Sequence, residues 1–196
     1  MSGKIKLNPT SGGGSFSLQA PSSSSNNRVL TLPDTADGTI AKTSDISFTA
    51  YAVIADQKTS GTDGGTFTSG AWRTRDLNTE VTDVDNIVSK SSKQFTLQAG
   101  TYLIKARATG YDCDRHQLRI RNITDASTVR FGISNFVNQT YNVFSTAVVV
   151  GRTTISGAKV FELQHQAQST KTTFGLGVAS NFTTEVFAEV EIYKEA

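Results

Sequence analysis

The sequence predicts an all-β protein, an antiparallel two-sheet sandwich or a barrel behind an extended arm, and three observations predict it. Thr, Ser, Val, Gly and Phe dominate a composition with only 18% charged residues and few strong helix formers, which suits pleated, half-buried surfaces. Beyond residue 46 the apolar positions recur with period two, the spacing of a strand with one face buried. Turn signals such as TDGG, NITDAS and SGA punctuate these runs. Together they describe a succession of short antiparallel strands with no convincing helix.

Residues 1–46 read as an arm. SGGGS (Ser11–Ser15), SSSSNN (Ser22–Asn27) and LPDTADGT (Leu32–Thr39) are turn- and loop-forming, and two short alternating strands, Ser15–Ala20 and Arg28–Leu32, lie between them. The apolar residues are Ile5, Leu7, Phe16, Leu18, Val29, Leu30, Leu32, Ile40 and Ile46. These are too few to offset the ordering of about forty-five residues at roughly 1–2 kcal/mol each. The arm is expected to gain order on a partner's surface, and residues 47–196 to form the head.

In the head, YLIKARA (Tyr102–Ala108), HQLRIRNI (His116–Ile123), VFELQHQA (Val160–Ala167) and EVFAEVEIYKEA (Glu185–Ala196) alternate most regularly. TVRFGIS and STAVVVGRTTI supply further strands, whereas TEVTDVDN reads as a polar loop. The inward set is expected to be Tyr102, Ile104, Leu118, Ile120, Phe161, Leu163, Val186, Val190 and Ile192, because a slip of one residue would expose all of it. Leu103, Lys105, Arg107, Phe187, Glu189, Glu191 and Tyr193 then face away from that core. The loops Thr59–Gly70, Glu80–Asn86 and Ser134–Asn142 remain for recognition.

FSLQAP (Phe16–Pro21) in the arm returns as FTLQAG (Phe95–Gly100) in the head, followed at once by TYLIKA. The second copy reads as a strand, a tight glycine turn and the entry to a central strand. The pattern F-x-L-x-x-G-x-Y-x-I, then an H-x-L-R strand, then x-F-x-L-Q, resembles the tumour-necrosis-factor-like jelly roll of complement globular heads, from roughly Ala50 to Ala196. The resemblance implies an antiparallel two-sheet jelly-roll sandwich, a homotrimer, and a central last strand through Ile192 and Tyr193. It also pairs the fourth and seventh strands, which would bring His116 and His165 together as a buried structural pair. Leu103, Lys105, Arg107, Phe187, Glu189, Glu191 and Tyr193 become the candidate trimer interface, with Lys105 and Arg107 beside Glu189 and Glu191. The arm is similar to segments preceding the terminal domains of tailed-bacteriophage fibre and virion proteins. The expectation is a trimeric short fibre, anchored to another virion protein by residues 1–46 and touching a host sugar or protein with its head. A capsid decoration protein and a non-viral lectin-like module are the alternatives.

Other chemistries find little footing. Net charge is +2 with scattered basic residues, so no basic stripe for nucleic acid is visible. The lone Cys113 excludes an internal disulfide framework. No apolar run approaches bilayer length and Met1–Thr10 lacks a signal-peptide core, so the chain is expected in the cytosol until a particle carries it away. YDCDRH has no recognised metal spacing, and the carboxylates of Glu80, Asp83 and Asp85 lack the glycine and terminal glutamate of an EF-hand. There is no G-x-S-x-G elbow and no acid–His–Ser arrangement. The expectation is a protein that is not an enzyme, with no cofactor and no metal.

Overall fold

The structure, a computed structural model, describes residues 4–8, 10–19, 47–91 and 93–196. The predicted strand Arg28–Leu32 lies outside them. The chain divides into two compact units, Met1–Ile40 and Ala41–Ala196. In the first, β1 (Lys4–Leu7) pairs antiparallel with β2 (Phe16–Gln19), the first copy of the repeated phrase, with Leu7 opposite Phe16. Ile5 and Leu7 are exposed, and a two-stranded ribbon of this kind is marginally stable by itself.

The second unit is all strand and turn among the described residues. In chain order it comprises β3 (Phe48–Lys58), β4 (Arg73–Thr74), β5 (Thr79–Thr82), β6 (Val88–Ser91), β7 (Gln94–Leu97), β8 (Gly100–Tyr111), β9 (Asp114–Asn122), β10 (Ser127–Phe131), β11 (Asn135–Val137), β12 (Phe144–Ile155), β13 (Lys159–Ala167) and β14 (Glu185–Glu195). One sheet runs β12-β8-β14-β3-β5. The other runs β10-β9-β13-β7-β6, with β11 on β9 and β4 on β13. All pairings are antiparallel, and the two sheets stack as a jelly-roll sandwich.

Alternation builds the core. Tyr102, Ile104, Val190 and Ile192 enter from one sheet and Leu118, Ile120, Phe161 and Leu163 from the other, all within 1% of full burial. Phe95 and Phe161 stack at 5.6 Å between them. The repeated phrase marks a corner: β7 and β8 belong to different sheets and only Gln98 and Ala99 join them. The Tyr102 hydroxyl donates back to the Gln98 carbonyl at 3.1 Å, tying the corner shut.

Three expectations need correction. Val186, placed inward by alternation, is 45% exposed, whereas Phe187, placed outward, is buried. A β-bulge between Val186 and Ala188 breaks the period there. TEVTDVDN is not all loop, since Thr79–Thr82 form β5 on β3; the Asp83 carboxylate then accepts the Ile87 and Val88 amides and closes the turn. The supposed recognition loops carry structure too: Phe67 is fully buried in a bridge to Lys171, and Asn135–Val137 pair with β9.

Candidate functional site

The outward face of the β12-β8-β14-β3-β5 sheet carries the residues of interest. The register lines up Arg152, Leu103, Tyr193 and Tyr51 in one row across four strands. The next row is Val150, Lys105, Glu191 and Val53, and the third sets Val148, Arg107 and Glu189 side by side. Period-two side chains cannot avoid this once β8 and β14 are neighbours.

Opposite charges and aromatic rings meet within and between these rows. Arg107 Nη2 donates to Glu189 Oε1. Arg152 grips Glu195 through Nη2 and Nε, which donate at 2.7 and 2.8 Å, a bidentate fork that pulls the Glu195 carboxyl below its ordinary range. The Tyr193 hydroxyl donates to Glu191 at 2.7 Å, and that bond raises the phenol's pKa. Lys105 Nζ sits 4.9 Å over the Tyr193 ring, which also contacts Phe48 and Tyr51 at 5.2 and 6.1 Å. Yet the apolar members stay open: Phe48, Tyr51 and Val150 are 40–48% exposed.

Phe187 does not join this face as an open residue. It packs against Gly177, where a Cβ would come within 2.2 Å of its ring, and Gly177 holds a φ of +142° that only glycine adopts without strain. The chain's own Phe174–Gly177 segment therefore covers Phe187. That cover is held by Thr109, whose hydroxyl donates to the Leu176 carbonyl at 2.5 Å.

Behind the same region lies a buried polar cluster. β9 and β13 pair with Ala167 opposite His116, and His116 Nδ1 lies 2.9 Å from His165 Nε2. His116 Nε2 lies 2.6 Å from Ser145 Oγ on β12, while His165 Nδ1 has no partner among the described residues and its ring packs on Phe67 at 4.5 Å. Desolvation and then the positive charge of Arg75 hold His116 down to about 4, and His165 well below the ordinary imidazole range. Those shifts favour the neutral form of both rings near pH 7, and a hydrogen-bonded chain of imidazole, imidazole and hydroxyl is compatible with it. Cys113 is buried nearby, and desolvation pushes its thiol up to about 12, so it is inert as a nucleophile.

Two further residues hold the site and were not singled out from the sequence. Arg75 is fully buried and donates to the carbonyls of Thr109, Leu176 and Phe187 at 2.8–3.3 Å. The Phe187 carbonyl lies at the β14 bulge, so Arg75 satisfies a group the ladder leaves irregular. Glu185 accepts the amides of Gly61, Ser180 and Asn181 and the Ser180 hydroxyl, which draws its pKa down to about 2. In WRTRDL nothing separates Arg75 from a surface arginine; only its two-residue spacing from the Leu77 core position hints at burial.

No protein-family model matches the chain, and no curated protein sequence does. Among solved structures it is similar to Eiger TNF from S. frugiperda, at 11% identity over 77% of this chain and 94% of that one, with a TM-score of 0.50. It is similar also to the globular domain of zebrafish complement 1qA protein, at 13% identity over 74% and 96%, TM-score 0.48. A third is the PRD1 vertex protein P5, at 12% identity over 76% and 99%, TM-score 0.45. At these identities the likeness is one of fold: the head is a TNF-like jelly roll.

Proposed function

We propose that the chain is a structural virion protein of a tailed bacteriophage, a homotrimeric short fibre. Residues 1–46 anchor it to another virion protein, and residues 47–196 form a head that adheres to a sugar or protein of the host surface. The observation that carries the trimer is the outward sheet face, where Phe48, Tyr51, Val148 and Val150 stand exposed among ordered ion pairs. A monomer gains little from such an arrangement, whereas a second and third copy bury the apolar members and desolvate the pairs. Support for the particle comes from the arm, whose composition cannot make its own core and whose sequence is similar to fibre-protein segments.

Sedimentation equilibrium tests the assembly. The full chain is expected to be trimeric at micromolar concentration, and Glu189→Lys, which sets a cation beside Arg107, to dissociate it while the monomer stays folded. A wild-type monomer at that concentration overturns the reading. A variant lacking residues 1–46 is expected to trimerise yet fail to join particles. Electron images of tagged particles then separate a tail position from a shell position, and the latter would replace the fibre by a decoration protein.

A further inference from the structure

A cavity of about 590 Å³ opens where β8 ends and β12 and β14 begin, within the range of roughly 300–1,000 Å³ typical of small-ligand sites. Its walls combine aromatic rings with short polar groups. Phe144 is 66% exposed, although it lies at the start of a strand. Tyr111 is half-buried and its ring is fixed from the side by Phe174, edge-on at 5.6 Å, and by Lys171 Nζ at 5.3 Å. The hydroxyl of Tyr111 donates to Asn142 Oδ1 at 3.2 Å. That bond orients the Asn142 amide and leaves its NH₂ group without a partner among the described residues. The Thr184 hydroxyl also makes no bond to a described residue.

Among the described residues the only carboxylate in the lining is Glu185, and its two oxygens already accept three backbone amides and one hydroxyl. Among the described residues, no lysine, arginine or histidine lines the cavity. A cationic ligand finds its counter-charge already occupied, and an anionic one meets Glu185 with nothing to offset it. The occupant suited to this lining is uncharged, carries several hydroxyls, and has one apolar flat face for Phe144 or Tyr111.

We infer that the cavity binds a neutral sugar ring: the ring's C–H face lies on Phe144, and its hydroxyls exchange hydrogen bonds with the Asn142 amide, Thr184 and Ser180. Ser180 Oγ donates to Glu185 and keeps its lone pairs to accept from the sugar. The Glu185 clamp holds the Ser180–Asn181 wall to Gly61, so the cavity exists before the ligand arrives and little ordering opposes binding. The source of the sugar rests on the adhesion reading above, and this cavity would be its site on the head.

Saturation-transfer NMR on the full chain tests it, with glucose, galactose, mannose and N-acetylglucosamine as probes and glucuronate and glucosamine as charged counterparts, all at millimolar concentration. At least one neutral sugar is expected to take up saturation, and both charged ones to fail. Phe144→Ala, Asn142→Ala and Thr184→Val change exposed side chains, and each is expected to weaken binding about tenfold with an unchanged melting curve. No signal from any neutral sugar, equal signals from charged sugars, or binding unaffected by all three variants overturns the inference. Competition with adsorption to host cells keeps the two readings apart. A sugar that binds the cavity without competing leaves the site and removes adhesion as its purpose. A head that adsorbs while binding none of the sugars removes the site and leaves adhesion.

Discussion

Acidification should destabilise this head before most of its carboxylates are protonated, because its two histidines are buried and tied to each other. In the unfolded chain both imidazoles take a proton near pH 6.5, whereas in the native head His116 resists until about pH 4 and His165 is held well below its ordinary range too. A folded pKa depressed in this way leaves stability intact above pH 6.5 and removes it as pH falls from 6.5 toward 4. Each unit within that window costs about 1.4 kcal/mol per histidine. From about pH 7.5 to about pH 5 the loss is about 2 kcal/mol for His116, and His165 adds to it in the same direction. Against a typical domain stability of roughly 5–15 kcal/mol this is a large fraction. Of the charged groups facing the pair, Arg75 reinforces the effect, since its charge opposes a second cation. Asp56, whose charge acts on Arg75, works the other way: burial raises its carboxyl, so its own penalty fades as pH falls. Glu185 keeps its contribution above about pH 4.5 and loses it as pH falls from there toward about 2. Urea unfolding across the window is the assay, with the double variant His116→Gln/His165→Leu as comparison. The wild-type slope should vanish in that variant whatever its stability at neutral pH. A wild-type unfolding free energy flat to within about 1 kcal/mol over the window would refute the reasoning.

Two further outcomes bear on the framework. Tyr102→Phe removes only the bond to the Gln98 carbonyl and should cost about 1 kcal/mol in thermal or urea unfolding; no loss would show that the corner does not depend on it. Arg75→Met leaves the Thr109, Leu176 and Phe187 carbonyls short of a donor and should cost on the order of 3–5 kcal/mol, with the Phe174–Gly177 segment losing hydrogen-exchange protection before the strands do. Uniform loss of protection would show that Arg75 does not act through that segment.

Regular strands were the legible part of this sequence, for a physical reason. In Tyr102–Ala108 and His116–Ile123 each residue has only two directions available, and one of them is the core, so the letters alone sort inward from outward. The Arg107–Glu189 pair follows from the same parity once β8 and β14 are adjacent. Val186 and Phe187 defeated it, because a bulge inserts a residue that no composition announces. β5 was hidden inside TEVTDVDN because an edge strand needs only one hydrogen-bonded side and tolerates polar residues on both faces. Arg75 and Glu185 were illegible for another reason. A buried ion whose partners are chiefly backbone groups, far along the chain for Arg75 and in a neighbouring loop for Glu185, leaves no residue spacing to read.

The corner at Gln98 and Ala99 has a counterpart at the far end of β8, where Asp112 and Cys113 alone lead into β9 in the opposite sheet. One continuous segment, Gln94–Asn122, thus passes from one sheet to the other and back through two of the shortest crossings a chain can make. Along the way it contributes Phe95, Leu97, Tyr102, Ile104, Leu118 and Ile120 to the core. Jelly rolls fold slowly as a class, since most of their pairings must first close long loops. Here a quorum of the core comes from neighbours along the chain, where closure costs least. The nucleus of the folding transition state should form in this segment, with β13 and β14 arriving as templates are completed for them. Substitutions within Gln94–Asn122 will then slow folding, while those in β14 will chiefly hasten unfolding.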